Sequence, residues 1–168
     1  PAGAPIPATA IGWFREAGKK VYAWGESFDQ RQYYLAAHAD EVYLDPFGYL
    51  LLEGYGYYRT YLRGTLDKLD VDLHVFKVGS HKSAADTFTR SDMSAEDREQ
   101  GAVWLGALWD GYRDDVASAR ELEPALIQAY ADEAAPAIRA VGGDLAQYAL
   151  ARGLVDGLKT REEFEQLV

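Results

Sequence analysis

The chain has 168 residues, with 17 Lys plus Arg against 27 Asp plus Glu and a formal net charge of −10 at pH 7. Its length fits one domain of the common ~100–150-residue size better than two; 48% hydrophobic and 26% charged residues exclude a disordered chain, and the acidic balance repels a phosphate backbone, which argues against nucleic acid as a partner. With no cysteine at all, disulfide scaffolds, thiolate zinc sites and cysteine nucleophiles are excluded, while cytoplasm and periplasm both stay open.

Residues 1–7, with three prolines and a glycine, predict a loop. Pro1-Ala2-Gly3-Ala4-Pro5 has neither a basic start followed by an apolar core nor an initiator Met, so it reads as an interior stretch of a longer chain rather than an intact signal peptide. Residues 8–17 place Ile11, Trp13 and Phe14 on roughly one helical face, with Gly18 at the expected C-cap and Lys19 and Lys20 where cations suit the helix dipole. Val21-Tyr22-Ala23-Trp24 predicts a buried strand closed by Gly25. A short helix is expected over 30–38 and a strand over 41–44, ended by the turn Asp45-Pro46-Phe47-Gly48. A third strand is expected over 49–53, stopped at Gly54 and Gly56; even here, in the longest apolar candidate, no run approaches the ~20 residues of a membrane span.

Residues 59–69 predict an amphipathic helix with Leu62, Leu66 and Leu69 on one side. Residues 71–78 alternate apolar and polar, with Val71, Leu73 and Val75 inward, and form the clearest strand pattern in the chain. Strands and helices thus alternate through the first half, the pattern of an α/β layer fold with at least partly parallel strands. From about residue 94 the chain reads as a helical extension. Ser94 with Asp97 resembles a capping box, and the helix it opens runs toward Arg120 with Trp104, Leu105, Leu108, Trp109, Tyr112 and Val116 at helical spacing. Such a stripe signifies core or subunit interface rather than a ligand platform. Pro124 and Pro136 punctuate the next stretch of chain; Gly142-Gly143-Asp144 opens a short helix through Ala151, and residues 153–157 turn into a last helix over 160–167.

Few residues offer chemistry. His38, His74 and His81 form no i,i+4 pair and have no acidic partner at ligand spacing, so no metal site and no cofactor is expected. No Walker A or G-x-G-x-x-G sequence occurs, and no G-x-S-x-G elbow singles out a serine. There remains the loop after the clearest strand, Val78-Gly79-Ser80-His81-Lys82-Ser83-Ala84. Ligands gather at the carboxyl ends of strands in open α/β sheets. A lysine held there serves as a general base if burial lowers its pKa from ~10.4 toward neutrality, because only the uncharged amine accepts a proton. Ser80 and Ser83 are placed to orient it.

This segment, continuing through Phe88-Thr89-Arg90-Ser91-Asp92-Met93-Ser94, resembles the V-G-x-x-K-S-A…F-x-R-x-x-M-S stretch of the bacterial signal peptide peptidase A (protease IV) family. Gly18-Lys19-Lys20-Val21-Tyr22-Ala23, Gln32-Tyr33-Tyr34-Leu35-Ala36 and Leu66-Asp67-Lys68-Leu69 extend the resemblance upstream. Gly142-Gly143-Asp144, Ala149-Leu150 and Leu154-Val155-Asp156 extend it downstream. It implies a crotonase/ClpP-like layered fold, incomplete here at its N-terminus, and a serine–lysine peptidase whose lysine falls on Lys82, with Gly79, Ser80 and Ser83 in support.

The family's serine lies in an A-S-G-G-Y-Y-like sequence. The matching stretch here is Asp29-Gln30-Arg31-Gln32-Tyr33-Tyr34, so Gln30 takes the serine's place and Arg31 and Gln32 replace glycines whose backbone helps form an oxyanion site. The resemblance therefore implies the amino-terminal, lysine-bearing half of a long form: a single partial peptidase domain, inactive alone, whose nucleophile comes from a second domain of the same protein. It also implies cleaved signal peptides as substrate, a homo-oligomer, and a bacterial inner-membrane anchor with the catalytic domain on the periplasmic side. Glu53-Gly54-Tyr55-Gly56 is the candidate edge for an extended peptide, with Gly54, Tyr55 and Gly56 as substrate-binding residues. Packing of the tyrosine-rich run between subunits is the competing role for those tyrosines. A non-catalytic oligomerisation domain of the same fold is the alternative function. An acyl-CoA-handling crotonase relative is disfavoured, since the glycine-rich oxyanion segment is missing and nothing basic gathers to hold a nucleotide phosphate.

Overall fold

The computed structural model describes residues 6–74, 86–140 and 142–168, which fall into two units, Pro1–Gly54 with Gly111–Val168 and Tyr55–Asp110. In the first unit α1 (Ile6–Glu16) ends near Gly18, at φ +74°. The chain then enters β1 (Tyr22–Gly25), α2 (Gln30–Ala36) and β2 (Glu41–Leu44). β1 and β2 are parallel, in register from Tyr22↔Glu41 to Gly25↔Leu44. β3 (Gly157–Leu158) adds to the other side of β2, also parallel, pairing Tyr43↔Gly157 and Leu44↔Leu158. The sheet order is β1-β2-β3. Its central strand, Val42-Tyr43-Leu44, is buried as a continuous apolar run, as a strand covered on both faces must be.

Helices close over this sheet. The C-terminal part of α5 (Ala95–Arg120) contributes buried Tyr112, Val116 and Ala117. α6 (Pro124–Asp132) starts with proline at its first position, where no N–H is needed. α7 (Ala134–Ala140) follows, with Pro136 in its first turn. α8 (Leu145–Ala151) is capped by Asp144, which accepts from Gln147 N at 2.9 Å. α9 (Arg161–Glu165) carries a Thr160/Glu163 capping box and lays Phe164 against Trp24 and Tyr43, ring centroids 6.1 and 6.0 Å apart. Two buried tyrosines, Tyr33 and Tyr130, tie the core to the chain through their hydroxyls. Tyr33 donates to Leu154 O at 2.6 Å and Tyr130 to Leu50 O at 2.9 Å.

The second unit holds α3 (Arg63–Lys68), α4 (Asp86–Thr89) and the first part of α5. Ser94 Oγ accepts from Asp97 N at 3.1 Å, the expected cap. Arg59 pairs with Asp97 at 3.1 Å, their side chains 19% and 14% exposed, and Tyr57 meets Trp104 edge-on at 6.1 Å.

The α/β expectation with parallel strands holds, in a small open sheet. Three local expectations need correction. No strand forms over 49–53, where Leu50 makes a single parallel bridge to Phe28. The helix expected over 59–69 is confined to α3. Residues 71–74 are not strand, and Val71 and Leu73 are 46% and 43% exposed rather than inward; the rest of that expected strand lies outside the described residues. Along the α5 stripe, expected as core or subunit interface, Tyr112 and Val116 are buried and Trp104 and Leu108 about half exposed. β3 was not expected at all. Among the described residues no helix is long and apolar enough to cross a membrane.

Candidate active site

Parallel strands bring their carboxyl ends to one edge, and there β1 delivers the chain into the turn before α2. Phe28 N donates to Tyr49 O at 2.9 Å and Leu51 N to Phe28 O at 3.0 Å, so residues 49–51 run beside the entry to α2. Asp29 caps that helix: its carboxylate accepts from Arg31 N and Gln32 N, each at 2.8 Å, while Gln32 Oε1 accepts from Asp29 N at 2.9 Å. The reciprocal capping box fixes the first turn and with it the direction of Gln30.

Gln30 is hydrogen-bonded to main chain. Its Oε1 accepts from Gly54 N at 2.8 Å and Glu53 N at 3.2 Å. Both lone pairs of that oxygen are thereby used. Gly54 has φ +73°, the left-handed region that favours glycine, so the chain turns just after these two N–H groups. The segment leading there is anchored beneath: Leu50 and Leu52 are 1% and 4% exposed against 45% and 38% for Tyr49 and Leu51, a strand-like alternation with one bridging partner. Beyond it, Tyr55 is exposed, and Gly56 lies under the Tyr58 ring, where an added Cβ would come within 2.9 Å of Cε2.

Lys82 and its expected supports Gly79, Ser80 and Ser83 lie outside the described residues, as does His81. The described histidines are not gathered for metal binding: His38 Nδ1 is 2.7 Å from Tyr34 O and its ring packs on Tyr34 at 5.1 Å, while His74 is exposed. No group of metal-ligating side chains occurs among the described residues. The pairing of Gln30 with Glu53 and Gly54 escaped the sequence reading, since partners 23 and 24 residues apart leave no local signal.

The Peptidase family S49 profile matches residues 13–167. Protease 4 of Salmonella typhi is 41% identical over 157 residues, covering 94% of this chain and 25% of that protein. Protease 4 of Haemophilus influenzae is 38% identical over 169 residues, covering 98% and 28%. The chloroplastic serine protease SPPA of Arabidopsis thaliana is 27% identical over 106 residues, covering 63% and 16%. This chain belongs to peptidase family S49. It spans about a quarter of the length of the Protease 4 relatives it matches.

Proposed function

We propose that the full-length protein is a serine peptidase in which this chain supplies Lys82 as the general base and a second domain supplies the nucleophilic serine. In this reading the serine hydroxyl attacks the peptide carbonyl as the uncharged Lys82 amine takes its proton. That proton then passes to the departing amine, and water later cleaves the acyl-enzyme. Ser80 and Ser83 orient the amine, and the substrates are cleaved signal peptides, held in extended form along Gly54, Tyr55 and Gly56. The scaffold is a crotonase/ClpP-like layered fold, working as a homo-oligomer anchored in a bacterial inner membrane with its catalytic part on the periplasmic side.

The observation that carries the division of labour is Gln30. A carboxamide has no hydroxyl to attack with, and its oxygen already accepts from Glu53 N and Gly54 N, which supports a nucleophile supplied by another part of the protein. Membership of family S49 supports the peptidase class. The test is Lys82→Ala in the full-length protein, assayed on an extended peptide. Loss of a positioned base lowers kcat by roughly 10²–10⁴-fold, with KM and assembly little changed. Unaltered turnover would remove Lys82 from the mechanism.

A further inference from the structure

Two consecutive main-chain N–H groups converging on one oxygen make a receptor for a carbonyl or carboxylate. Glu53 and Gly54 form such a pair, on a segment anchored by the buried Leu50 and Leu52. Glu53 is exposed, so the pair lies within reach of solvent. Gln30 Oε1 is 3.2 and 2.8 Å from the two nitrogens. The Asp29/Gln32 capping box holds the backbone from which Gln30 projects. A tethered acceptor acts at high effective concentration and outcompetes a free peptide carbonyl of the same chemistry.

We infer that Gln30 is a built-in occupant of a peptide-carbonyl receptor, closing the Glu53–Gly54 amide pair to extended peptides. The inference rests on the proposed peptide-facing role of Gly54 to Gly56 and adds a latch to it: main-chain capture at Gly54 requires the glutamine to leave. A glutamic acid at position 30 has the same reach and accepts the same two N–H groups with the added strength of a charge, so it keeps the latch shut. Alanine opens it.

Hydrogen exchange, followed by mass spectrometry in fragments spanning Leu50 to Tyr57 of the full-length protein, tests this with the blocked tripeptide acetyl-Ala-Ala-Ala-amide as probe at about millimolar concentration. Gln30→Ala is expected to speed exchange of the two amides by about tenfold or more, and the tripeptide to slow it again. Wild type and Gln30→Glu are expected to exchange slowly whether or not the tripeptide is present. Gln30→Asn, one carbon short, gives the same opening should the alanine variant not fold. Unchanged exchange in the opened variants, opening without protection by the tripeptide, or tripeptide protection already in the wild type would each overturn the inference. The readout involves no hydrolysis, so its failure is distinguishable from failure of the Lys82 mechanism.

Discussion

Asp156 sits in what reads as a glycine-flanked turn, yet it joins three elements. One carboxylate oxygen accepts from Val42 N at 2.7 Å and the other from Arg120 at 2.8 Å, while Asp156 N donates to Val42 O at 2.7 Å. The Arg120 side chain is 7% exposed, so removing its partner strands a charge out of water. Asp156→Ala is expected to destabilise the protein by about 2–3 kcal/mol, and Asp156→Asn by less, since an amide oxygen still serves Val42 N; urea denaturation compares the two. Asp40 anchors the other strand entry, accepting from Val21 N at 2.7 Å and Arg15 Nε at 2.8 Å. The Val21 bond first, and Arg15 after it, holds its carboxyl below the usual range. A folded-state pKa below the unfolded one gives stability that is complete above the unfolded value and lost as pH falls through the folded one. Asp40→Asn is therefore expected to flatten the acid side of a Tm-against-pH curve and leave the neutral side little changed in slope. None of these partners is legible in sequence, because 19 to 114 residues separate them.

At the scale of elements, legibility followed local chemistry. The start of α2 is written in Asp29 and Gln32, whose spacing is that of a capping box, and Asp29→Ala is expected to cost about 1 kcal/mol in chemical denaturation while raising exchange at Glu53 and Gly54, because a frayed first turn no longer aims Gln30. β2 is equally legible, since three consecutive apolar residues at the sheet centre are buried whichever face they meet. Residues 49–53 show why pattern alone misleads: they alternate in burial as a strand would, but one bridge to Phe28 is not a ladder. β3 fails in the opposite sense, since Gly157 and Leu158 carry no strand propensity of their own and pair where Asp156 and Lys159 N bond to β2 on either side of them. Val71 and Leu73 have an alternating pattern without the burial that alternation ordinarily reports.

For the whole molecule, motif order carried more than periodicity did: separated matches through most of the chain led to the family that the profile match over 13–167 establishes. The candidate Lys82 is singled out first by its place after an alternating sequence pattern and more sharply by that resemblance, because a lysine has no spacing rule of its own. If catalysis is shared between domains, this chain by itself cleaves no peptide although folded, and adding the serine-bearing domain of the same protein produces turnover that Lys82→Ala in this chain abolishes. Circular dichroism of each component separates a missing partner from a missing fold. A sharper version places a hydroxyl at the entry to α2 of this chain. Gln30→Ser removes the acceptor of Glu53 N and Gly54 N but leaves Arg31 and Gln32, whose amides are already taken by the Asp29 carboxylate. An oxyanion developing beside that serine finds the Arg31 and Gln32 donors engaged, whatever the freed Glu53 and Gly54 amides accept, and donors aimed at the developing charge are worth roughly 3–4 kcal/mol each. The variant is therefore expected to remain silent in a peptide-hydrolysis assay, and turnover by it alone would show that the second domain is not required.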